Sequence, residues 1–257
     1  MSILYSVEKG VATLGISRPG KMNALTQQMY AALADGLERA AADDDVRAVL
    51  IAGEPGIFTA GNELADFLAA PPSLVESPVL RFMLALARFE KPVVAAVTGH
   101  AVGIGATLLL HCDLVYVAEG ARLTMPFVRL GLVPEFAASL LLPLRAGHVR
   151  AADKLLLGTP FTAEEAVSMG LANMVVPPEQ VVGVARDVAE RFNALPASGV
   201  RDSKRLMKQA QARLVEETLL EEARMYGARL GGAEVREAVA AFFEKREPDF
   251  SRLGRGD

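Results

Sequence analysis

Three short, almost wholly apolar segments lie in the first half of the chain, at residues 48–51, 93–97 and 114–117. Runs of four or five apolar residues are typical of strands that are buried on both faces of a parallel sheet. Segments with helical spacing separate them, and residues 80–89 are one example. This alternation predicts an α/β protein with a parallel sheet.

The two ends of the chain carry different patterns. Residues 3–7 and 11–16 predict a β-hairpin, because Gly10 suits a tight turn. Thr26 is expected to cap the first long helix. Near the C-terminus the sequence is helical and charged, and those helices need a partner surface, from the main domain or from another copy of the chain. The predicted C-terminal helices are residues 181–193, 198–212, 215–230 and 233–245.

Composition and charge exclude several classes of protein. The chain has 257 residues and a net charge of −4, so no broad basic surface for nucleic acid is expected. Its one cysteine, Cys112, excludes an internal disulfide and a multi-cysteine metal site. A secretion signal and an apolar run long enough to cross a bilayer are both missing from the sequence. We therefore expect a soluble, cytoplasmic protein without a membrane partner.

Two turns built from small residues each follow a strand-like run and lead into a helix-like one. They are residues 58–64, FTAGNEL, and residues 99–107, GHAVGIGAT. Glycine and alanine allow a ligand close to the backbone, and the free N–H groups at a helix start attract an anion. Either turn alone is also an ordinary strand-to-helix connection. Together they predict an oxyanion hole made from main-chain groups.

Six motifs follow one another along the chain. They are Arg18 with Pro19, residues 23–25, residues 58–64, residues 91–99 with 103–105, Cys112 with Asp113, and residues 240–246. In this order they resemble the crotonase, or enoyl-CoA hydratase/isomerase, superfamily over essentially the whole chain. The resemblance implies a spiral of ββα units with the acyl-CoA site in residues 1–195. It further implies a C-terminal helical oligomerisation region in residues 196–257.

The resemblance also implies the substrate, the assembly and the oxyanion donors. The substrate is expected to be an acyl-CoA thioester, with coenzyme A as part of the substrate, no separate cofactor and no metal. A homotrimer or a dimer of trimers is expected. The thioester oxygen is expected to bind the backbone N–H groups of Asn62 and Ile104. Fixed amide dipoles suit this role, because a thioester enolate carries its charge on oxygen.

Thr107 and Phe127 occupy the positions where hydratases of the family resemble one another in carrying two glutamates. Hydration needs one group to activate water and another to protonate the α-carbon. A threonine hydroxyl and a phenyl ring do neither, so the usual two-glutamate hydratase mechanism is not expected.

Glu135 is the acid that remains. Residues 126–139 resemble the peroxisomal type of 3-enoyl-CoA to 2-enoyl-CoA isomerase, in which the matching glutamate is the base. One carboxylate is enough to move a proton from C2 to C4. The apolar neighbours of Glu135 predict burial and a raised pKa. The alternative is that Glu135 only serves the first turn of the following helix.

The remaining site predictions come from the resemblance. The coenzyme A residues are expected to be Lys21, Met22, Ala24, Ala60, Phe242 and Lys245, and the acyl pocket is expected to include Thr107, Phe127 and Ser139. Glu63 and Asp66 are weaker candidates, because acids in a first helical turn are commonly solvated. The three histidines lack the spacing of metal ligands and are interpreted as structural.

The sequence favours isomerisation of 3-enoyl-CoA to 2-enoyl-CoA with Glu135 as the sole base. One alternative is hydration or another crotonase-type reaction, such as thioester hydrolysis or C–C cleavage. Another is a non-catalytic relative that binds coenzyme A or RNA. The net charge of −4 and the two intact turns disfavour the latter.

Overall fold

The described strands form two sheets, and the chain passes from one sheet to the other several times. The computed structural model describes residues 2–63 and 77–253. The strands are β1 (Ser2–Glu8), β2 (Val11–Ser17), β3 (Ala48–Ala52), β4 (Gly56–Thr59), β5 (Val93–Val97), β6 (Gly99–Val102), β7 (Leu114–Ala118), β8 (Arg122–Thr124), β9 (Phe161–Thr162) and β10 (Met174–Val176). The larger sheet has the order β1-β2-β3-β5-β7-β10, and the smaller has the order β4-β6-β8-β9.

The predicted parallel sheet is confirmed. From β2 to β10, each neighbouring pair of strands in the larger sheet runs parallel. Every residue of β3 and of β5 is buried, as expected for strands covered on both faces. The predicted hairpin is also confirmed, because β1 and β2 pair antiparallel. Lys9 and Gly10 at its turn have φ values of 46° and 70°, which is the geometry of a tight two-residue turn.

Helices contact strands of both sheets. They are α1 (Gln27–Ala42), α2 (Pro78–Ala87), α3 (Ile104–Thr107), α4 (Ala138–Ala146), α5 (His148–Leu156), α6 (Ala163–Ser168), α7 (Val181–Glu190), α8 (Ala197–Leu230) and α9 (Ala233–Glu244). The predicted cap of α1 is confirmed, since the Thr26 hydroxyl accepts a hydrogen bond from the Met29 N–H at 3.2 Å. No helix in the described ranges is long and apolar enough to cross a membrane.

One helix boundary was wrongly predicted. Residues 198–212 and 215–230 belong to the single helix α8, which runs unbroken from Ala197 to Leu230. Arg213 and Leu214 stand at the expected break, and both are good helix formers. Arg213 also pairs with Glu217 one turn later at 3.5 Å. The charge between the two apolar stretches therefore does not interrupt the helix.

The ββα repeat brings the candidate site together. Each of the pairs β3–β4, β5–β6 and β7–β8 places its first strand in the larger sheet and its second in the smaller one. In the smaller sheet β4 and β6 are parallel neighbours, so the turns that follow them emerge side by side. The adjacent prolines Pro71 and Pro72, which from the sequence are expected to mark a loop, lie outside the described residues.

Candidate active site

The two small-residue turns are in contact. A Cβ added at Gly61 would lie 2.8 Å from the carbonyl oxygen of Val102 and 3.9 Å from the Cα of Gly103. A Cβ added at Gly105 would lie 2.4 Å from Cγ2 of Thr59. Both distances below 3.0 Å are too short for a real side chain. Glycine is therefore required for the close approach of the two backbones.

The predicted oxyanion donors have free N–H groups. Ile104 is the first residue of α3, where a helix offers no acceptor for its own N–H. Asn62 forms an isolated parallel bridge with Leu25, whose own N–H donates to the Gly61 carbonyl at 2.7 Å. Within residues 2–63 and 77–253, neither the Asn62 N–H nor the Ile104 N–H has a hydrogen-bond acceptor. Both groups are thus available to bind an anionic oxygen.

A clasp of hydrogen bonds holds the first turn against the segment that precedes α1. Asn23 is buried with a φ of 55°, and its side-chain amide donates to the Phe58 carbonyl at 3.3 Å. The Thr59 hydroxyl donates to the Asn23 carbonyl at 2.7 Å. The Ala60 N–H donates to the Met22 carbonyl at 3.0 Å. Residues 22–24 and 58–60 thus form one clasped unit. It contains three of the predicted coenzyme A residues, Met22, Ala24 and Ala60.

The other predicted coenzyme A residues lie in two places, next to this unit and at the end of α9. Lys21 is exposed at the end of a short 3-10 helix, Pro19–Lys21. Phe242 is 63% exposed near the end of α9, and Lys245 follows that helix with a φ of 54°. Across the described residues, no hydrogen bond or ion pair joins Phe242 or Lys245 to Ala60 or to residues 21–24.

Glu135 is a buried acid with one carboxyl oxygen that makes no hydrogen bond among the described residues. Its side chain is only 5% exposed, and Oε1 has no hydrogen-bond partner in the described part of the protein. Burial raises the pKa of Glu135 to about 8, and the negative charge of Glu222 adds to the rise. The predicted burial is confirmed. The carboxyl is poised to hold or release a proton near neutral pH.

The backbone after Glu135 adopts an unusual conformation. Phe136 and Ala137 have φ values of 62° and 55°, in the left-handed region that residues other than glycine seldom enter. The Phe136 carbonyl accepts a hydrogen bond from Nε2 of His111 at 2.7 Å, and the two rings stack at 4.0 Å. Burial lowers the pKa of His111 to about 3, so its ring is neutral and serves as a donor. His111 is thus a structural residue, as interpreted from the sequence.

Two tyrosines are close both to Glu135 and to the first small-residue turn. The hydroxyl of Tyr30, in α1, donates to Oδ1 of Asn62. Tyr226, in α8, is also hydrogen-bonded to the Asn62 side chain. Burial, and after it the nearby charge of Glu135, raises the pKa of both tyrosines. Glu135 and Asn62 are therefore both close to the same two tyrosines.

The residues predicted for the acyl pocket differ in their surroundings. Thr107 is buried at the end of α3. Phe127 is also buried, and its ring lies 4.0 Å from where a Cβ on Gly103 would be. Ser139 is exposed, and its backbone N–H donates to the Glu222 carboxylate at 2.9 Å. Ser139 is thereby engaged with α8 at the first turn of α4.

The weaker candidates are accounted for separately. The Glu63 carboxylate pairs with the guanidinium of Arg18 at 2.7 Å. Asp66 lies outside the described residues. Cys112 is buried, and burial raises the pKa of its thiol to about 12, so the thiol stays protonated at neutral pH. No group of three metal-ligating side chains occurs within the described ranges.

Comparison with known proteins identifies the family. The model of the enoyl-CoA hydratase/isomerase family matches residues 6–253. The chain belongs to the enoyl-CoA hydratase/isomerase family. This confirms the family expected from the six motifs, and the fold of α/β units with C-terminal helices agrees with it.

Relatives within the enoyl-CoA hydratase/isomerase family include both isomerases and hydratases by name. The chain is 38% identical to 1,2-epoxyphenylacetyl-CoA isomerase of Escherichia coli (strain K12), over 97% of this chain and 98% of that protein. It is 33% identical to enoyl-CoA delta isomerase 2 of Rattus norvegicus, over 95% of this chain and 64% of that protein. The structure of Pseudomonas aeruginosa OdaA matches with a TM-score of 0.92 and 51% identity, covering 93% of this chain and 98% of that one.

Sequence reasoning missed Glu222, Tyr226 and Tyr30. The buried positions in the second half of α8 include Leu219, Glu222, Tyr226 and Leu230, which follow one face of the helix. An acid within an apolar stripe is unusual, and Glu222 could have been singled out on that ground. The target of its carboxylate was not readable, because the residues that it contacts lie more than eighty positions earlier in the chain.

Proposed function

We propose that this member of the enoyl-CoA hydratase/isomerase family converts 3-enoyl-CoA thioesters into 2-enoyl-CoA thioesters, with Glu135 as the sole base. The observation that carries the proposal is the Glu135 carboxyl, which is buried, has a free Oε1, and lies close to Tyr226, the hydrogen-bond partner of Asn62. Positions 107 and 127, where a two-glutamate hydratase needs acids, hold Thr107 and Phe127.

The proposed reaction begins with the thioester oxygen between the N–H groups of Asn62 and Ile104. Glu135 removes a proton from C2, and the electron pair of the C–H bond moves into a dienolate whose negative charge is on the thioester oxygen. The two N–H groups stabilise that charge without having to reorient. The protonated Glu135 then returns the proton to C4, and the double bond is left between C2 and C3.

The protonation state of Glu135 makes the rate of the proposed reaction depend on pH. With a pKa of about 8, the carboxylate that acts as base is the minor form at neutral pH. The rate is therefore expected to rise with pH until the carboxyl is ionised and then to level off.

Support also comes from the relatives, since two of those described above are named isomerases of CoA thioesters. Coenzyme A belongs to the proposed substrate, so the reaction needs no separate cofactor. We propose that the clasped unit around Met22, Ala24 and Ala60 contacts coenzyme A, together with Lys21, Phe242 and Lys245. The exposed apolar residues Leu206, Met207 and Leu214 of α8 support assembly as a homotrimer or a dimer of trimers, which light scattering tests.

The test compares Glu135→Gln with a control, Glu119→Gln, which changes an exposed acid in the turn after β7. Each variant is assayed with 3-enoyl-CoA for the appearance of 2-enoyl absorbance and with 2-enoyl-CoA for its loss by hydration. We expect Glu135→Gln to lose isomerase activity by a factor on the order of 100 or more while still binding coenzyme A. Full isomerase activity in Glu135→Gln would refute the role of this residue. Hydration that exceeds isomerisation in the wild type and survives the substitution would favour a hydratase instead.

A further inference from the structure

The long C-terminal helix α8 supplies two buried polar side chains to the proposed site. Glu222 and Tyr226 are four residues apart and therefore lie on the same face of the helix. Tyr226 is hydrogen-bonded to Asn62, in the turn at residues 58–64. Glu222 accepts hydrogen bonds from the segment that follows Glu135. One turn of α8 thus contacts both parts of the proposed machinery.

Glu222 caps a helix that has no cap of its own. Ala137 precedes α4 and offers no side-chain acceptor to the free N–H groups at the helix start. The Glu222 carboxylate accepts hydrogen bonds from the Ala137 N–H at 2.5 Å and from the Ser139 N–H at 2.9 Å. Both oxygens of the carboxylate are used, one for each N–H. A negative charge at this place is also favoured by the dipole of α4.

The capping contacts of Glu222 matter because they stabilise the backbone conformation of the residues that follow Glu135. Phe136 and Ala137 are both left-handed and neither is glycine, so the local sequence does not favour the conformation. His111 fixes the Phe136 carbonyl from one side, and Glu222 fixes the Ala137 N–H from the other. Glu135 immediately precedes this pair. The direction of its side chain therefore depends on contacts made by distant parts of the chain.

We propose that Glu222 is a positioning residue for the reaction, which orients Glu135 by holding the N–H groups of Ala137 and Ser139 from helix α8. The inference rests on the proposed role of Glu135 as the base. It assigns a function to the C-terminal helical region beyond assembly, because that region then determines where the base points.

The charged and titratable groups around Glu135 provide a way to test this. Glu222 and Tyr226 face Glu135 from α8, Tyr30 faces it from α1, and the neutral ring of His111 stacks on the adjoining Phe136. Of these groups, Glu222 contributes the negative charge that raises the pKa of Glu135. A neutral residue at position 222 is therefore expected to move the pH profile of the reaction toward lower pH.

The experiment compares Glu222→Gln and Glu222→Ala with Glu221→Gln. Glu221 is the matched control, because it is the preceding residue of α8, is exposed, and pairs only with Arg224 in the described structure. We measure kcat, KM and the pH dependence of kcat/KM with 3-enoyl-CoA, together with amide hydrogen exchange in peptides that cover residues 136–141.

We expect Glu222→Ala to lower kcat by a factor on the order of 10 to 100, since removing support for a catalytic group misplaces it, and to leave KM nearly unchanged. Glu222→Gln retains one acceptor, so part of kcat returns, while the midpoint of its pH profile falls below that of the wild type. Amide exchange of residues 136–141 is expected to accelerate in Glu222→Ala. Glu221→Gln is expected to match the wild type in every measurement.

Wild-type kcat, an unshifted pH midpoint and unchanged exchange in folded Glu222→Ala would overturn the inference. If Glu222→Ala does not fold, Glu222→Gln decides through its pH midpoint and its kcat. Failure of the proposed function is recognised separately, because it would leave Glu135→Gln fully active. Amide hydrogen exchange does not depend on activity. Unchanged exchange of residues 136–141 in folded Glu222→Ala would therefore by itself refute the claim that Glu222 stabilises this segment.

Discussion

Replacing Glu135 with glutamine is expected to stabilise the folded protein while it removes activity. Burial raises the pKa of Glu135 from 4.5 to about 8. Between those two values the folded chain keeps a proton that the unfolded chain has released. The free energy of unfolding of the wild type therefore falls as the pH rises through this window, whereas a glutamine at position 135 stays neutral and avoids the loss.

The magnitude follows from the size of the pKa shift. Each unit of pH within the window costs about 1.4 kcal/mol of stability. The difference between Glu135→Gln and the wild type should be near zero below pH 4.5, where Glu135 is protonated in both states. It should reach about 3 kcal/mol at pH 7 and about 4 kcal/mol at pH 8. It should become constant at about 5 kcal/mol roughly one pH unit higher, where the residue is ionised in both states.

Urea denaturation of the wild type, Glu135→Gln and the control Glu119→Gln measures these differences at several pH values between 4.5 and 8.5. All samples have the same protomer concentration, because the stability of an oligomer depends on it. A difference between Glu135→Gln and the wild type that does not change with pH would refute the reasoning. A change of the same size in Glu119→Gln would also refute it, since the effect would then not belong to the buried site.

Three further substitutions test other parts of the structure. Gly61→Ala places a methyl group 2.8 Å from the Val102 carbonyl oxygen, at a backbone φ of 86°. The turn at residues 58–64 must then move, and kcat should fall by a factor on the order of 100. An unchanged kcat would argue against an oxyanion role for this turn. Tyr226→Phe removes a hydrogen bond to Asn62, and steady-state kinetics should show kcat/KM lower by about fivefold. Wild-type kinetics would mean that Asn62 keeps its position without the Tyr226 hydroxyl. Thr26→Ala removes the α1 cap and should lower the free energy of unfolding by about 1 kcal/mol with kcat unchanged, and equal urea midpoints for this variant and the wild type would contradict the assigned cap.

Much of the fold was predictable because its determinants are local. A strand buried on both faces must be apolar at every position, so β3 and β5 could be located from their apolar runs in the sequence. The cap at Thr26 and the turn at Gly10 likewise depend on a few adjacent residues. The division of α8 failed for the same reason, since helix-forming residues at the expected break gave no local stop.

The candidate site divides in the same way. The glycines of the two turns are visible in the sequence because close backbone approach excludes a side chain wherever it occurs. The apolar neighbours of Glu135 similarly predict its burial and its raised pKa. These properties belong to single residues and their immediate neighbours.

The sequence by itself therefore determined the class of fold, the two turns and the identity of the buried acid. Only the tertiary structure decided which groups surround that acid. Glu222 reaches Ala137 across 85 positions of the chain, and Tyr30 and Tyr226 meet at Asn62 from opposite ends of it. Such contacts depend on how the long helix packs against α2 and α4, and the spacing of residues along one element carries no information about its distant neighbours.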